Sequence, residues 1–161
     1  MVIISKYELK EDDTGRFHVH CLEIRAVCPI CGQGLVVVGT RRRGVKDRLG
    51  EKVILIIRRL RCKGCHAIHH ELPDMIVPYK RHCADTVEKV VGGEGVYCEV
   101  STIRRIRSWW AACLLYFESV LASLREKHGV VFSSRPAPKE IVRALANTHL
   151  WPHTRSVFLT G

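Results

Sequence analysis

Cys28-Pro29-Ile30-Cys31-Gly32 and Cys62-Lys63-Gly64-Cys65 decide how this chain folds. In each, a gap of two residues lets two thiolates converge on one ion from a single tight knuckle, and Gly32 or Gly64 supplies the backbone freedom that aims amides at sulfur. Between the knuckles lie two strand-like runs, Leu35-Val36-Val37-Val38 and Val53-Ile54-Leu55-Ile56-Ile57-Arg58-Arg59-Leu60. Arg41 to Gly50 separates them, carrying glycines and charges without apolar periodicity. The spacing predicts an antiparallel ribbon with a long basic hairpin loop over 41–50. Phe17 to Ile24 reads as another strand, leading into the first knuckle.

Four thiolates from Cys28, Cys31, Cys62 and Cys65 make a closed tetrahedral shell, the composition of a structural zinc site. No position is left for water, so one Zn2+ is expected to serve folding rather than catalysis. A redox dithiol needs a single CxxC beside a βαβ pattern, and no such pattern is visible. His66, His69 and His70 are alternative donors, although strand or surface histidines are the simpler account. Cys21, Cys83, Cys98 and Cys113 have no paired spacing and read as small buried hydrophobes.

With 161 residues, 47% of them hydrophobic, the chain has material for one ordinary core or two small ones. The longest apolar run, Trp109 to Phe117, falls far short of the ~20 residues that cross a bilayer. Met1 to Lys10 lacks the pattern of a secretory signal, and eight cysteines without export point to metal binding in a reducing compartment. The expected location is the cytoplasm, in association with the nucleoid.

The net charge of +10 is concentrated. Residues 41–70 hold ten Lys and Arg against two Asp and Glu, and residues 101–161 hold nine against three. Residues 71–100 run the other way, three against six, so an acidic connector joins two basic blocks. Such blocks are either solvated faces or the footprint of a phosphate-binding surface. On the latter reading Arg41, Arg42, Arg43, Lys46, Arg48, Arg58, Arg59 and Arg61 form one phosphate-contacting face.

Pro73 and Pro78 mark a change of texture, placing a boundary near 72–80. The expected units are a zinc-ribbon β domain over 1–78, a helical domain over 79–128 and an extension over 129–161. Ala84, Val87, Val90 and Val91 give a helical stripe over 81–91 that Gly92-Gly93 stops. After a turn, Ser101 and Thr102 are placed to cap a second helix. Its apolar residues Ile103, Ile106, Trp110, Cys113, Phe117, Val120 and Leu124 recur at alternating spacings of three and four. That seam, 103–124, serves either the chain's own core or a homodimer. Gly129 stops the helix, and residues 139–148 form a last short one. The predicted class is α+β, a four-cysteine ribbon followed by a helix-turn-helix-like domain whose second helix lies in the major groove. Arg104, Arg105, Arg107 and Ser108 then face outward to bases and phosphates, while Ser101 and Thr102 sit at the anion-binding helix start.

Arg58-Arg59-Leu60-Arg61-Cys62-Lys63-Gly64-Cys65 and His69-His70-Glu71-Leu72-Pro73 resemble the zinc-binding domains that precede DNA-binding helices in insertion-sequence transposases. Val77-Pro78-Tyr79-Lys80-Arg81 and Ser101-Thr102-Ile103-Arg104-Arg105 are similar to segments of small bacterial zinc-ribbon proteins of unknown function. The likeness covers about 28–110. It implies zinc on the four cysteines and recognition of DNA. The transposase relatives cut DNA with an RNase-H-like domain for which no room remains after residue 110.

The function expected from the sequence is therefore sequence-specific binding of double-stranded DNA by a non-enzymatic accessory or regulatory protein, with a mobile-element protein as a further partner. An adaptor that docks a larger nuclease, transposase or polymerase is the alternative. A single-strand nuclease is a third, prompted by His18-Val19-His20, which is similar to the His-hydrophobe-His metal motif of nucleases with a tyrosine nucleophile. Alternate strand residues share a face, and Tyr79, Tyr97 or Tyr116 would be the nucleophile.

Overall fold

The computed structural model describes residues 1–23 and 27–152; Ile24, the expected end of the first strand, and residues 153–161 of the C-terminal extension lie outside them. Six strands come first: β1 (Val2–Ile4), β2 (Tyr7–Glu11), β3 (Phe17–Cys21), β4 (Leu35–Lys46), β5 (Lys52–Cys62) and β6 (Ile68–Pro73). Three helices follow: α1 (Ala84–Gly92), α2 (Val100–His128) and α3 (Pro138–Asn147). The class is α+β, a curled mixed sheet with helices against one side.

β5 organises the sheet because it is the apolar, β-branched strand with partners on both edges. β4 pairs antiparallel with it from Leu35↔Cys62 to Lys46↔Lys52, with a bulge between Val37 and Gly39. On its other edge, β3 takes the first half in parallel register, Phe17↔Leu55, and β6 the second half antiparallel, Arg59↔His70. β1 closes on β6 and β2 on β3.

The hairpin departs from its expected form. Arg41 to Lys46 are strand, not loop, and the turn is confined to 47–51, where the Asp47 carboxylate accepts the amides of Leu49 and Glu51 at 2.9 Å. Charged, glycine-bearing text sits in a strand here because β5 supplies the ladder and Val45 supplies a buried anchor.

One hydrophobic cluster joins sheet and helices. Leu55, Ile57 and Val45 from the hairpin meet Val87 and Val90 of α1, Trp110 and Phe117 of α2, and Leu145 of α3. Phe117 is fully buried between Trp110 and Trp151, with ring centroids 5.0 and 5.9 Å away. All the seam residues except the half-buried Ile103 are spent on this core, together with Trp109 and Leu121. α2 begins at Val100 behind Glu99, so Ser101 and Thr102 lie inside its first turn rather than capping it. α1 begins at Ala84, the first apolar residue of its stripe and three residues after the expected start at 81, because the backbone of Arg81 and Cys83 is tied to Lys46. Gly93 and Gly129 close α1 and α2 in the left-handed conformation their missing Cβ permits.

Candidate metal centre and basic surface

The sulfurs of Cys28, Cys31, Cys62 and Cys65 lie within 4.8 Å of one another. Cys28 precedes a tight turn in which the Gly32 amide donates to the Cys28 carbonyl at 2.8 Å. Cys62 ends β5, and the two knuckles are tied by the Lys63 amide donating to the Gly34 carbonyl at 3.0 Å. Sulfurs about 2.3 Å from a shared tetrahedral ion stand about 3.8 Å apart. The separations of 3.6 Å for Cys28–Cys65 and 3.4 Å for Cys31–Cys62 fit that requirement. The set can hold a metal ion, and four sulfurs are a donor set consistent with zinc.

Electrostatics points the same way. The Ala67 amide draws the Cys65 thiol down, yet burial and the three neighbouring sulfurs outweigh it and push the group up to about 12. For Cys62 burial raises the thiol, but the Cys65 and Gly64 amides and the Cys31 thiol lower it below its ordinary value. Thiols this crowded do not all ionise unless a cation compensates them. Around the shell, the Gly64 amide donates to the Cys62 sulfur at 3.3 Å. His69 is not one of the clustered donors but touches one, its Nε2 3.3 Å from the Cys28 sulfur. Burial lowers the ring's pKa to about 4, and its Nδ1 lies 3.1 Å from the Met1 nitrogen. A ring proton on Nε2 would be directed at sulfur, the outer-shell contact that steadies a metal thiolate. His66 is exposed and His70 lies on the opposite side of β6 from His69.

Gly32 holds φ at +73°, so Gly32→Ala is expected to cost about 1–2 kcal/mol through the left-handed backbone alone, no atom standing where the new Cβ would go. Chemical denaturation of the metal-loaded protein checks this; an unchanged midpoint refutes it.

The pleat sorts the predicted phosphate contacts onto two faces. Arg41 lies across from Ile57, Arg43 from Leu55 and Arg59 from His70, so these three arginines share one face, with Arg61. Arg42, across from Ile56, and Arg58 lie on the other. Arg58 is engaged: its guanidinium grips the buried Glu71 carboxylate in a two-point contact at 2.6 and 2.7 Å. Arg43 donates to the Lys80 carbonyl at 2.7 Å, and Arg48 pairs with Asp85 at 3.1 Å. On α2, Arg104, Arg105, Arg107 and Ser108 are exposed; Arg105 reaches the Thr102 hydroxyl at 3.3 Å and Arg107 the Val90 carbonyl at 3.2 Å.

Between the hairpin end, residues 79–82 and the first turns of α2 runs a cleft of about 800 Å³. It brings Lys46 and Arg105, predicted separately, to one place, and adds Lys80 and Arg81, which charge counting over long blocks had hidden in an acidic connector. Tyr79, Tyr97 and Trp109 line it too, and the Lys80 ammonium stands 3.8 Å over the Trp109 ring. Burial lowers the Lys80 pKa from its usual value.

The histidines of the nuclease motif are placed differently. His18 and His20 share a face of β3, but the His18 ring is bonded to Asp12 at 3.0 Å and the Tyr116 hydroxyl donates to the Leu150 carbonyl at 2.6 Å. Among the described residues the four cysteines are the one metal-competent group. Cys83 and Cys113 are buried as expected, whereas Cys21 and Cys98 are half-exposed, the latter 3.5 Å from His82 Nδ1. No described helix is long and apolar enough to cross a membrane.

Residues 28–106 match a domain of unknown function, DUF6431. The match opens on Cys28, the first of the four clustered cysteines, and closes at the buried Ile106 of α2, so it contains both knuckles, the hairpin and all of the basic cleft's lining except Trp109. No curated protein and no solved structure matches the chain.

Proposed function

We propose that this protein binds nucleic acid on a ribbon-like β scaffold stabilised by one structural zinc ion, and that it binds without cutting. The observation that carries the reading is the cleft: four lysines and arginines against one carboxylate, Glu99, interleaved with aromatic rings, at the junction of a β-hairpin and a helix start. Positive charge in a concave, partly aromatic surface is what a polyanion with flat bases requires. The exposed Arg104, Arg105 and Ser108 on α2 suit a helix-turn-helix-like mode in which α1 supports and α2 reads the major groove of duplex DNA. We further propose a sequence-specific accessory or regulatory role in a mobile element of a bacterial nucleoid, which is what the resemblance read from residues 28–110 implies.

The double substitution Arg104→Ala/Arg105→Ala is expected to weaken duplex binding by about tenfold or more and to reduce the salt slope by about one per lost phosphate contact. Both side chains are exposed, so the fold should be untouched. Fluorescence anisotropy across a salt series measures both quantities. Absence of any duplex binding at low salt would sink the reading.

A second reading, an adaptor for a larger nuclease, transposase or polymerase, draws on one feature. An apolar trough of about 370 Å³ is walled by Val130, Val131 and Phe132, with Val131 90% exposed. Val131→Asp abolishing co-purification of a defined subunit while DNA binding persists would favour it.

A further inference from the structure

The face shared by Arg41, Arg43 and Arg59 ends in a small pocket distinct from the main cleft. Its volume is about 110 Å³, well below the roughly 300 Å³ at which ligand sites for whole small molecules begin. Arg41, Arg43 and His70 supply its polar wall, and Ile57, Leu72 and Pro78 its buried apolar back. Arg59 stands beside it, paired across the ladder with His70. Among the described residues the arginine ion pairs belong to Arg16, Arg48 and Arg58, so no carboxylate balances these three. Their mutual crowding registers on their neighbours: burial and then Arg41, Arg59 and Arg43 lower the pKa of His70, and burial and then Arg41 lower that of Arg43. Two guanidiniums in the wall of a space this small, neither with a carboxylate partner and one of them, Arg43, held in place by the Lys80 carbonyl, with a third at Arg59 next to His70, call for a compact, multiply charged anion.

Tyr79 sits at the mouth. It lines both the pocket and the long cleft, is 53% exposed, and holds φ at +62°, a left-handed conformation that a bulky residue seldom adopts without a reason of position. A flat aromatic face one step from a phosphate-sized cationic pocket is the pairing that an unpaired nucleotide needs. The apolar back wall matters as much. A phosphodiester inside a strand must leave in two directions, whereas a pocket closed behind by Ile57, Leu72 and Pro78 suits a group attached on one side only.

We infer that this pocket takes the terminal phosphomonoester of a nucleic-acid strand, with the base of the end nucleotide laid against Tyr79. The inference rests on the nucleic-acid reading above and adds to it what is recognised: a strand end. The duplex or its unpaired continuation then runs from the pocket along the cleft past Lys46 and Arg105.

The test uses the full, zinc-loaded chain and short DNA strands with an internal fluorophore, single-stranded or duplex, bearing a 5′-phosphate, a 3′-phosphate or hydroxyls at both ends. One phosphorylated end should bind at least about tenfold more tightly than its hydroxyl counterpart. Arg41→Ala should erase that difference and Arg41→Lys restore part of it, while Arg104→Ala lowers all affinities alike and keeps the ratio. Tyr79→Leu should cost about tenfold on strands with an unpaired end and much less on blunt duplex. Circular dichroism and zinc content unchanged in Arg41→Ala exclude misfolding. Equal affinity for phosphorylated and hydroxyl ends overturns the strand-end inference. If Arg41→Ala then weakens every strand equally, the pocket holds an internal phosphodiester and the general reading survives. If no strand binds at low salt, both fall.

Discussion

Cys62→Ser is expected to take bound zinc from about one ion per chain to none and to lower the melting temperature by at least about 10–20 °C, corresponding to a loss of about 5 kcal/mol or more. The size follows from how little else holds that end of the sheet together. Cys28 and Cys62 belong to a small cluster with Val2, Leu35 and Leu60, separate from the main core, so the ligands are themselves much of the packing. Structural zinc contributes about 10–16 kcal/mol of apparent binding free energy, comparable to the ~5–15 kcal/mol that stabilises a whole domain. The damage should be local. Leu55, Ile57, Val87 and Phe117 lie in the main core, which no cysteine knuckle enters, so hydrogen exchange in α2 and the first half of β5 should stay slow while Lys63 to Ala67 exchange freely. Cys21→Ser, at a thiol outside the cluster, should leave metal content unchanged. Wild-type protein without stoichiometric metal, melting at the same temperature with and without a chelator, would contradict the expectation.

What the sequence made legible is what local chemistry determines. Two-residue cysteine gaps announce themselves because the ligands of each knuckle are neighbours, and the α2 seam is readable because its period is a property of one helix. Failures cluster where the partner is distant. β1 spans only Val2–Ile4 and exists because β6, nearly seventy residues later, offers it a parallel edge. Arg41 to Lys46 looked like a loop because β propensity is weak in charged text, and only the β5 ladder makes it strand. Among the site residues, counting charges by block placed Arg41, Arg42, Arg43, Arg58 and Arg59 on one surface, whereas the two-residue period of a strand divides them. Lys80 and Arg81, quoted in the sequence only for the resemblance of their segment, are not legible as binding residues from block charge because the surrounding segment is acidic on average. The signal for a binding role is local: a tyrosine followed directly by a lysine and an arginine.

Arg58 separates the two readings of the basic hairpin most sharply. As a phosphate contact it would be dispensable for folding; as the partner of Glu71 it is not. Glu71 is 3% exposed, and Arg58→Ala would strand its carboxylate inside the sheet with the two charge-assisted hydrogen bonds removed. Breaking a buried pair from one side costs about 3–5 kcal/mol, reduced here to about 2–4 because Arg58 itself is 36% exposed and partly screened by water. Arg42→Ala, one strand over on the same face and exposed, should change stability by less than about 0.5 kcal/mol. The compensated double variant Arg58→Met/Glu71→Met should regain most of the loss, since an apolar pair of similar volume leaves no buried charge behind. Urea denaturation of the four proteins at neutral pH provides the comparison. If Arg58→Ala is as stable as Arg42→Ala but loses DNA affinity, Arg58 is a binding residue after all. If it unfolds earlier and the double variant recovers both stability and DNA affinity, its charge serves the sheet and not the ligand.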